Sequence, residues 1–481
     1  MTIKLIVSVV RYNNKLYIGK ENNKLICKLR SDMEFFKETT INNTVVMGRK
    51  TWENMVDEHN GTLPDRYNII LTNNKENLGK KDGCTEFMDI NLFERYATNN
   101  SDKDIYIIGG SEIFDYFLNI SDKFKPVDIF LTEIKNYDAS KHGIPSILFP
   151  RISEKYKMIS YSQKYFDYLY NVNYRFLKYK LINNSTDENN YLNLLKEISN
   201  NGNDRSDRTD TGTKSLFGKQ IKFNLENETI PIFTTRQSYY RTAIYEMLWM
   251  ISGQTDSIIL ENKGVNIWKG NSTREFLDKR GLTNLPVGDI GSMYGFILRH
   301  VGINYVNCIT DYSGKGIDQL QRVVNLLKEN PYSRRIAFSL YNPIYLNKGS
   351  LEPCHGIFVQ FYVEEKKNSS IKYLSCSMTQ RSGDMLCGIP INVIFYSILT
   401  RIIAMKCGME AKELIINIGD AHIYNTHLEN LEIQMSREPM PFPKLILKSD
   451  IKDKKFEDII ISDFEVIGYM CHPKLKYKMA I

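Results

Sequence analysis

The chain has 481 residues, of which 42% are hydrophobic, 12% aromatic and 25% charged. That composition excludes a disordered or low-complexity protein, and the length points to more than one unit of the usual ~150 residues. Basic residues exceed acidic ones by a net +7, which suits anionic ligands without requiring nucleic acid. None of the eight cysteines forms a metal-type C-x-x-C pair. Neither a zinc site nor a disulfide scaffold is therefore expected, and free thiols in a reducing compartment, the cytoplasm, are. The N-terminal run Leu5–Val10 is broken by Ser8 and closed by Arg11, too short for a secretory core. No stretch is expected to reach the ~20 apolar residues that cross a bilayer.

Taken in chain order, Leu5–Val10, Val45–Met47, Asn68–Leu71, Ile105–Ile108 and Ile129–Leu131 have strand character, with helical spacing between them at Met33–Phe36 and Glu112–Leu118. This alternation predicts an α/β unit with a mostly parallel sheet. Tyr165–Ile182 alternates aromatic with polar residues, as an antiparallel hairpin closing that sheet would. Asp32 opens an amphipathic stretch, where a helix cap and a functional carboxylate are equally good readings. Val46-Met47-Gly48-Arg49-Lys50-Thr51-Trp52 and Ile107-Ile108-Gly109-Gly110-Ser111 are strand, glycine and helix junctions that can bring N–H groups to a phosphate. A glycine pair after a strand is more often a plain turn, and the absence of G-x-G-x-x-G argues against a Rossmann site.

The polar run Asn183–Asn190 is the expected linker between a domain of residues 1–182 and one of residues 191–481. Beyond it, Tyr191–Ile198, Tyr239–Ile251 and Ile394–Ala404 read as helices among strands, an α+β pattern without internal repeats. In Leu351-Glu352-Pro353-Cys354-His355 the cysteine, taken alone, reads as a core residue. Gln380-Arg381-Ser382-Gly383-Asp384 followed by Gly388-Ile389-Pro390-Ile391-Asn392 brings together a guanidinium, a hydroxyl, a carboxylate and an amide. Such a set can grip a phosphate and pair with a base edge, although alone it is equally a solvated turn. Ser333-Arg334-Arg335 suits a phosphate dianion or plain surface charge. In Gly419-Asp420-Ala421-His422-Ile423-Tyr424, His422 and Tyr424 face one side of an extended segment and can hold sugar hydroxyls.

With Asp207-Arg208-Thr209-Asp210-Thr211-Gly212-Thr213, Tyr245-Glu246-Met247-Leu248-Trp249, Asn266-Ile267-Trp268, Ser436-Arg437-Glu438-Pro439 and Met479-Ala480-Ile481, these strings resemble the thymidylate synthase family from about residue 191 to the end. The resemblance implies that Cys354 adds to C6 of deoxyuridylate (dUMP), so that C5 attacks the methylene carbon of the co-substrate 5,10-methylenetetrahydrofolate. Glu246 becomes the carboxylate that organises proton transfers. Arg208 and Arg381, with Arg334 and Arg335 reaching over from a second subunit, become a phosphate clamp that also lowers the Cys354 pKa, assisted by Ser382. Asn392 and Asp384 read the pyrimidine and position the folate, His422 and Tyr424 hold the ribose, and Trp268, Asn271 and Tyr294 fall on the folate or base side. Arginines shared between subunits imply a homodimer through the synthase domain. Three departures stand out: Ile297-Leu298-Arg299 where the family has Gln-Trp-Arg, Arg236 for the lysine of Thr-Thr-Lys, and Asp210 for a glycine. Arg236 keeps a cation for the folate tail with a different geometry.

Ile18-Gly19-Lys20, Leu29-Arg30-Ser31-Asp32, Val46–Trp52, Leu63–Thr72 and Gly109-Gly110 occur in the order of the dihydrofolate reductase family over residues 3 to about 182. Chains carrying both parts form the bifunctional dihydrofolate reductase/thymidylate synthase family. The implied fold is α/β plus α+β, with an N-terminal reductase-like, mostly parallel sheet domain and a C-terminal synthase-like domain. Asp32 would bond the pteridine and promote protonation at N5 while NADPH delivers hydride to C6. Phe36 would pack on the folate, Arg66 bind its α-carboxylate and Thr132 bridge to Asp32. Ile18, Gly48, Arg49, Lys50, Thr51, Thr72, Asn73, Gly109 and Gly110 would receive NADPH, and no metal is implied. Leu25-Ile26-Cys27 replaces an expected Pro-Trp, Ser8 an Ala and Phe114 a Tyr.

The implied function is reductive methylation of dUMP to dTMP together with NADPH-dependent reduction of dihydrofolate. One alternative is a synthase whose reductase half is catalytically weak or a scaffold. Another is a nucleic-acid-binding protein, for which scattered cations and one Lys452-Asp453-Lys454-Lys455 patch give little support. Neither membrane nor nucleic acid is an expected partner.

Overall fold

The computed structural model describes residues 2–21, 24–59, 62–74, 79–99, 103–121, 123–182, 187–206, 211–365 and 370–477. The chain divides into two compact units, Met1–Ser185 and Thr186–Ile481. Arg208, Asp210 and the terminal Met479-Ala480-Ile481 lie outside the described residues.

In the first unit the sheet runs, edge to edge, through Tyr156–Tyr161, Val172–Leu181, Asp128–Lys135, Ile3–Tyr12, Ile105–Gly109, Thr44–Gly48, Tyr67–Leu71, Thr85–Met88 and Gly79–Asp82. Its central pairs are parallel, whereas Val172–Leu181 runs antiparallel to both of its main neighbours. Val45, Val46, Met47, Ile69, Ile70 and Ile107 are wholly buried, as strands covered on both faces require. The helices Arg30–Thr40, Arg49–His59 and Ser111–Asp115 follow strands or loops at one end of this sheet. Ligands of open α/β sheets bind at the carboxyl ends of the strands, where the order of connections reverses.

The polar run expected as a linker is shorter than its composition suggests. Residues 183–186 fall outside the described residues, while Asp187 already begins the helix Asp187–Asn201. Asp187 and Glu188 stand in its first turn, where carboxylates suit the positive end of the helix.

The second unit is built on a six-stranded sheet ordered Asn203–Arg205, Thr213–Asn224, Glu410–Tyr424, Lys372–Asp384, Phe358–Glu365 and Ala337–Phe338. Only Lys372–Asp384 and Glu410–Tyr424 pair in parallel. A parallel pair needs a long crossover, supplied here by the helix Gly388–Lys406. By length and apolar character that helix is long enough to cross a membrane, contrary to the expectation from sequence, but 83% of its apolar window is buried inside the protein. A helix apolar on all sides belongs in a core, and this one packs against the sheet and against the helix Tyr240–Ile251. One sheet face carries Val359, Phe361, Val363, Leu374, Cys376, Met378, Leu414 and Ile416, all buried. Phe358 and Tyr362, on the alternate positions of their strand, are exposed.

Ile402 is wholly buried in the crossover helix. Ile402→Ala is expected to cost about 2–5 kcal/mol, read as a lower urea midpoint for the transition of the synthase-like unit in the full chain.

Candidate active sites

A cleft of about 1590 Å³ opens in the first unit. Its lining comes largely from where the parallel strands end, at Gly48, Leu71 and Ile108 with the loops that follow them, and from Ser8 within the strand Ile3–Tyr12. Ile18, Gly48, Arg49, Lys50, Thr51, Thr72, Asn73, Gly109 and Gly110 all line it, as do Asp32 and Phe36. Gly48 permits a close approach, since a Cβ there would stand 3.0 Å from Ile113 Cγ1. At Gly110 a Cβ would stand 3.3 Å from Thr51 Oγ1. Side-chain-free backbone beside Arg49 and Lys50 at the start of an 11-residue helix fits the phosphates of a dinucleotide such as NADPH.

Asp32 sits in the first turn of Arg30–Thr40, whose N-cap position is held by Leu29, so the carboxylate is not a helix cap. Its Oδ1 accepts the Thr132 hydroxyl at 2.6 Å. Thr132 is in register with Ser8 on the neighbouring strand. Burial pushes the Asp32 carboxyl up from its ordinary value, and the hydroxyls of Thr132 and Ser8 pull it back. Arg66 is buried. It donates to Thr40 Oγ1 at 2.8 Å, Pro64 O at 2.6 Å and Lys37 O at 3.1 Å, and lies 5.9 Å over the Phe36 ring. The departures also have places: Phe114 is buried edge-on to Phe149 at 5.5 Å while still lining the cleft. Ile26 and Cys27 pack in a core cluster with Val10 and Leu29, and Leu25 faces the cleft.

In the second unit Cys354 precedes the strand Phe358–Glu365. The Tyr294 hydroxyl lies 3.5 Å from its Sγ and 3.1 Å from its backbone N–H, which donates to it. Tyr294 holds φ +25°, a conformation costly for a bulky residue, and Gly295 follows where a Cβ would stand 2.4 Å from Gln254 O. Arg381 is anchored on the same segment, with Nε to Pro353 O at 3.0 Å and Nη2 to Glu352 O at 3.1 Å. The expectation that arginines depress the Cys354 pKa holds for Arg381 in direction, but burial sets the net shift. Burial pushes the thiol up and outweighs the Tyr294 hydrogen bond and the Arg381 charge, which both pull it down, while Glu246 pushes it further up.

Glu246 is buried on the apolar helix Tyr240–Ile251 and accepts the Trp268 indole N–H at 2.9 Å. Burial raises its carboxyl to about 7, a value matched to acid–base work near neutrality. Trp268 meets Tyr294 edge-on at 5.7 Å, so nucleophile, phenol, indole and carboxylate form one run. Asn392, near the start of the crossover helix, donates to Gln380 Oε1 at 2.9 Å, and Gln380 donates to Ser382 O at 2.8 Å. Asp384 Oδ1 accepts the N–H groups of Leu386 and Cys387 at 2.9 and 3.0 Å. His422 faces Asp384 in register on the adjacent strand. Its ring lies 5.2 Å from Tyr424, so the two do share a side. Asn271 is buried at the end of a short helical turn.

Arg334 and Arg335 are not brought to Cys354 within the unit; they are exposed beside the edge strand Ala337–Phe338. Arg299 is taken up by Asp318 and Glu457, at 2.9 and 2.7 Å. Two residues had no role from sequence. His355 stacks on Tyr294 at 4.5 Å and bonds Tyr396 Oη at 2.9 Å, and burial drives its pKa down to about 3. Gln380 fixes Asn392. Both lie inside quoted motifs, so adjacency was a signal, but only the fold supplies their partners.

Because Glu246 binds its proton more tightly folded than unfolded, the associated stability is full below pH 4.5 and is lost as pH rises through about 7. Urea unfolding of wild type and Glu246→Gln is expected to show the wild type losing about 2–3 kcal/mol relative to the variant between pH 5 and pH 8. Parallel curves would contradict the buried neutral acid.

The dihydrofolate reductase family pattern matches residues 3–181 and the thymidylate synthase pattern residues 189–481. A bifunctional dihydrofolate reductase-thymidylate synthase of Paramecium tetraurelia is 37% identical over 461 residues, covering 95% of both chains. One from Arabidopsis thaliana is 36% identical over 509 residues, 98% of this chain and 95% of that one. The thymidylate synthase of Saccharomyces cerevisiae is 46% identical over 299 residues, 61% of this chain and 97% of its own. With both patterns in one chain and similarity running through nearly all of it, the protein belongs to the bifunctional dihydrofolate reductase-thymidylate synthase family.

Proposed function

We propose that the chain converts dUMP and 5,10-methylenetetrahydrofolate to dTMP and dihydrofolate in its second unit, and reduces dihydrofolate to tetrahydrofolate in its first. The observation that carries the synthase reading is the run from Cys354 through Tyr294 and Trp268 to Glu246. The Cys354 sulfur adds to C6 of the uracil, electrons move toward C5, and C5 bonds to the methylene carbon of the folate. Loss of the C5 proton expels N5 of tetrahydrofolate from the methylene carbon, hydride passes from the tetrahydrofolate to the exocyclic methylene so formed, and the C6–sulfur bond breaks to return the Cys354 thiolate, leaving dihydrofolate and dTMP. Glu246, poised near neutrality, relays protons at the base.

The raised thiol pKa fits a nucleophile that ionises once substrate is seated. Arg381 gives part of the positive field. We assign Arg208, Ser382, Arg334 and Arg335 to the substrate phosphate, Asn392 and Asp384 to the base and folate, His422 and Tyr424 to the ribose, and Asn271 to the folate side. The last two arginines would come from a second copy. The uncovered sheet face with Phe358 and Tyr362, 47% and 66% exposed, supports a homodimer there. The eight free thiols support a cytoplasmic location.

For the first unit, NADPH supplies the hydride when bound along Gly48–Thr51, Thr72-Asn73 and Gly109-Gly110. Asp32 holds the amidine-like edge of the pteridine by paired hydrogen bonds and favours the protonated N5. Thr132 orients that carboxylate, and Arg66, with Phe36 beneath it, meets the α-carboxylate. The intact cleft and the carboxylate's two hydroxyl neighbours favour an active reductase over a scaffold.

Two assays on the full chain separate the activities. Cys354→Ser is expected to abolish tritium release from C5-labelled dUMP while dihydrofolate-dependent NADPH oxidation persists, and Asp32→Asn is expected to do the reverse. A wild type without NADPH oxidation would leave only the synthase. Shared phosphate sites have their own signature: Cys354→Ser should be inactive and the Arg334→Ala/Arg335→Ala double variant slow, yet a mixture of the two should recover about a quarter of wild-type tritium release after subunit exchange. No recovery on mixing would place those arginines outside the partner's site.

A further inference from the structure

The carboxylate of Glu188 is wholly buried and belongs to neither active site described above. Both oxygens accept the Thr234 N–H at 2.9 Å. Oε1 also accepts the Thr235 N–H at 2.9 Å and hydroxyl at 2.8 Å, and Oε2 the Thr234 hydroxyl at 2.7 Å. Burial pushes its pKa up, and these donors pull it down. A buried carboxylate is tolerated only when so completely bonded, and here every one of these bonds converges on two consecutive residues.

The next residue is Arg236. Its guanidinium donates to Leu386 O, in the turn that Asp384 folds, and lies 4.8 Å over the Tyr477 ring. Its Nε is buried without a hydrogen-bond acceptor among the described residues. The surrounding groups refer to the same threonines. Gln434 donates to Thr235 Oγ1 at 3.1 Å while accepting the Tyr477 hydroxyl at 2.9 Å. Arg437 donates to Thr235 O at 2.9 Å and the His472 N–H to Thr234 O at 2.7 Å. A planar guanidinium must be aimed, whereas an ammonium need only be near. A rigid base one residue away supplies the aim.

We propose that Glu188 is a positioning residue for the folate end of the synthase site: through Thr234 and Thr235 it aims the Arg236 guanidinium at the glutamate-tail carboxylates of methylenetetrahydrofolate. This rests on the reading of Arg236 as the tail cation. In Glu188→Gln an amide NH₂ would point into four donors, and the Thr234-Thr235 backbone would move off its seat.

The test is tritium release by the full chain with methylenetetrahydrofolate and with the corresponding pteroate, which lacks the glutamate tail. Glu188→Gln and Thr235→Val should each raise the folate KM about tenfold, with kcat and the dUMP Kd held within about twofold. With the pteroate the penalty should vanish, because the aimed cation has nothing to hold. Arg236→Gln should show the same selectivity, and the double variant with Glu188→Gln should be no worse than the worse single. A penalty that persists on the pteroate, or that falls on kcat alone, overturns the positioning role. An unchanged folate KM in Glu188→Gln, beside a raised one in Arg236→Gln, overturns it as well. An unchanged KM in Arg236→Gln instead overturns the reading of that arginine. Should Glu188→Gln not fold, Thr235→Val carries the same comparison.

Discussion

Removal of ionisable groups from water marks the candidate sites of both units. Asp32, Glu246 and Cys354 are each pushed toward the protonated form by burial before any neighbour acts on them. A carboxyl raised to about 7, as Glu246 is, can both give a proton to a bound substrate and take it back near neutrality, which an exposed carboxylate cannot do. The neighbours then set the degree: two hydroxyls temper Asp32, one indole tempers Glu246, and a phenol and a guanidinium temper Cys354. The reverse case is His355, which burial keeps neutral beside the nucleophile. A charged imidazolium there would change the local field, whereas a neutral ring stacks on Tyr294 and bonds Tyr396.

The scaffold of the synthase unit follows from one topological requirement. Parallel pairing of Lys372–Asp384 with Glu410–Tyr424 obliges the chain to cross over by a helix, and the buried Gly388–Lys406 is that helix. The crossing brings the end of the first strand, the start of the helix and the end of the second strand to one place. Arg381, Asp384, Asn392 and His422 are all there for that reason. Gln380 links strand to helix through Asn392, so the Asn392 amide is fixed by the fold and not by its own loop. In the reductase unit the same logic acts through strand ends: Gly48 and Gly109 terminate neighbouring parallel strands, and both line the cleft.

Most element types were legible along the chain because their signals are local. Period-two alternation marked Tyr165–Ile182, strand–glycine–helix junctions marked Gly48 and Gly109, and the apolar run marked the crossover helix, though not that it would pass for a membrane span. The linker was overestimated, because Asn and Asp composition looks like coil while Asp187 and Glu188 are stabilised as the first turn of a helix. Motif strings named candidate residues for both sites, but not what each one touches. Cys354 illustrates the gap: the arginines in sequence suggested a depressed pKa, whereas the fold adds a burial that outweighs Arg381, together with a Tyr294 hydrogen bond that lowers the pKa and a Glu246 charge that raises it, from 60 and 108 positions earlier in the chain.

Sequence by itself determined the two-part organisation, the family and the residue types available for chemistry, since order, spacing and side-chain identity are properties of the chain. Tertiary structure alone decided which groups lose their water and which donors meet them there. Glu188 shows this most plainly: in the chain it is one polar residue among eight, and only folding places its carboxylate against Thr234 and Thr235, because desolvation and hydrogen-bond satisfaction are set by neighbours distant in sequence.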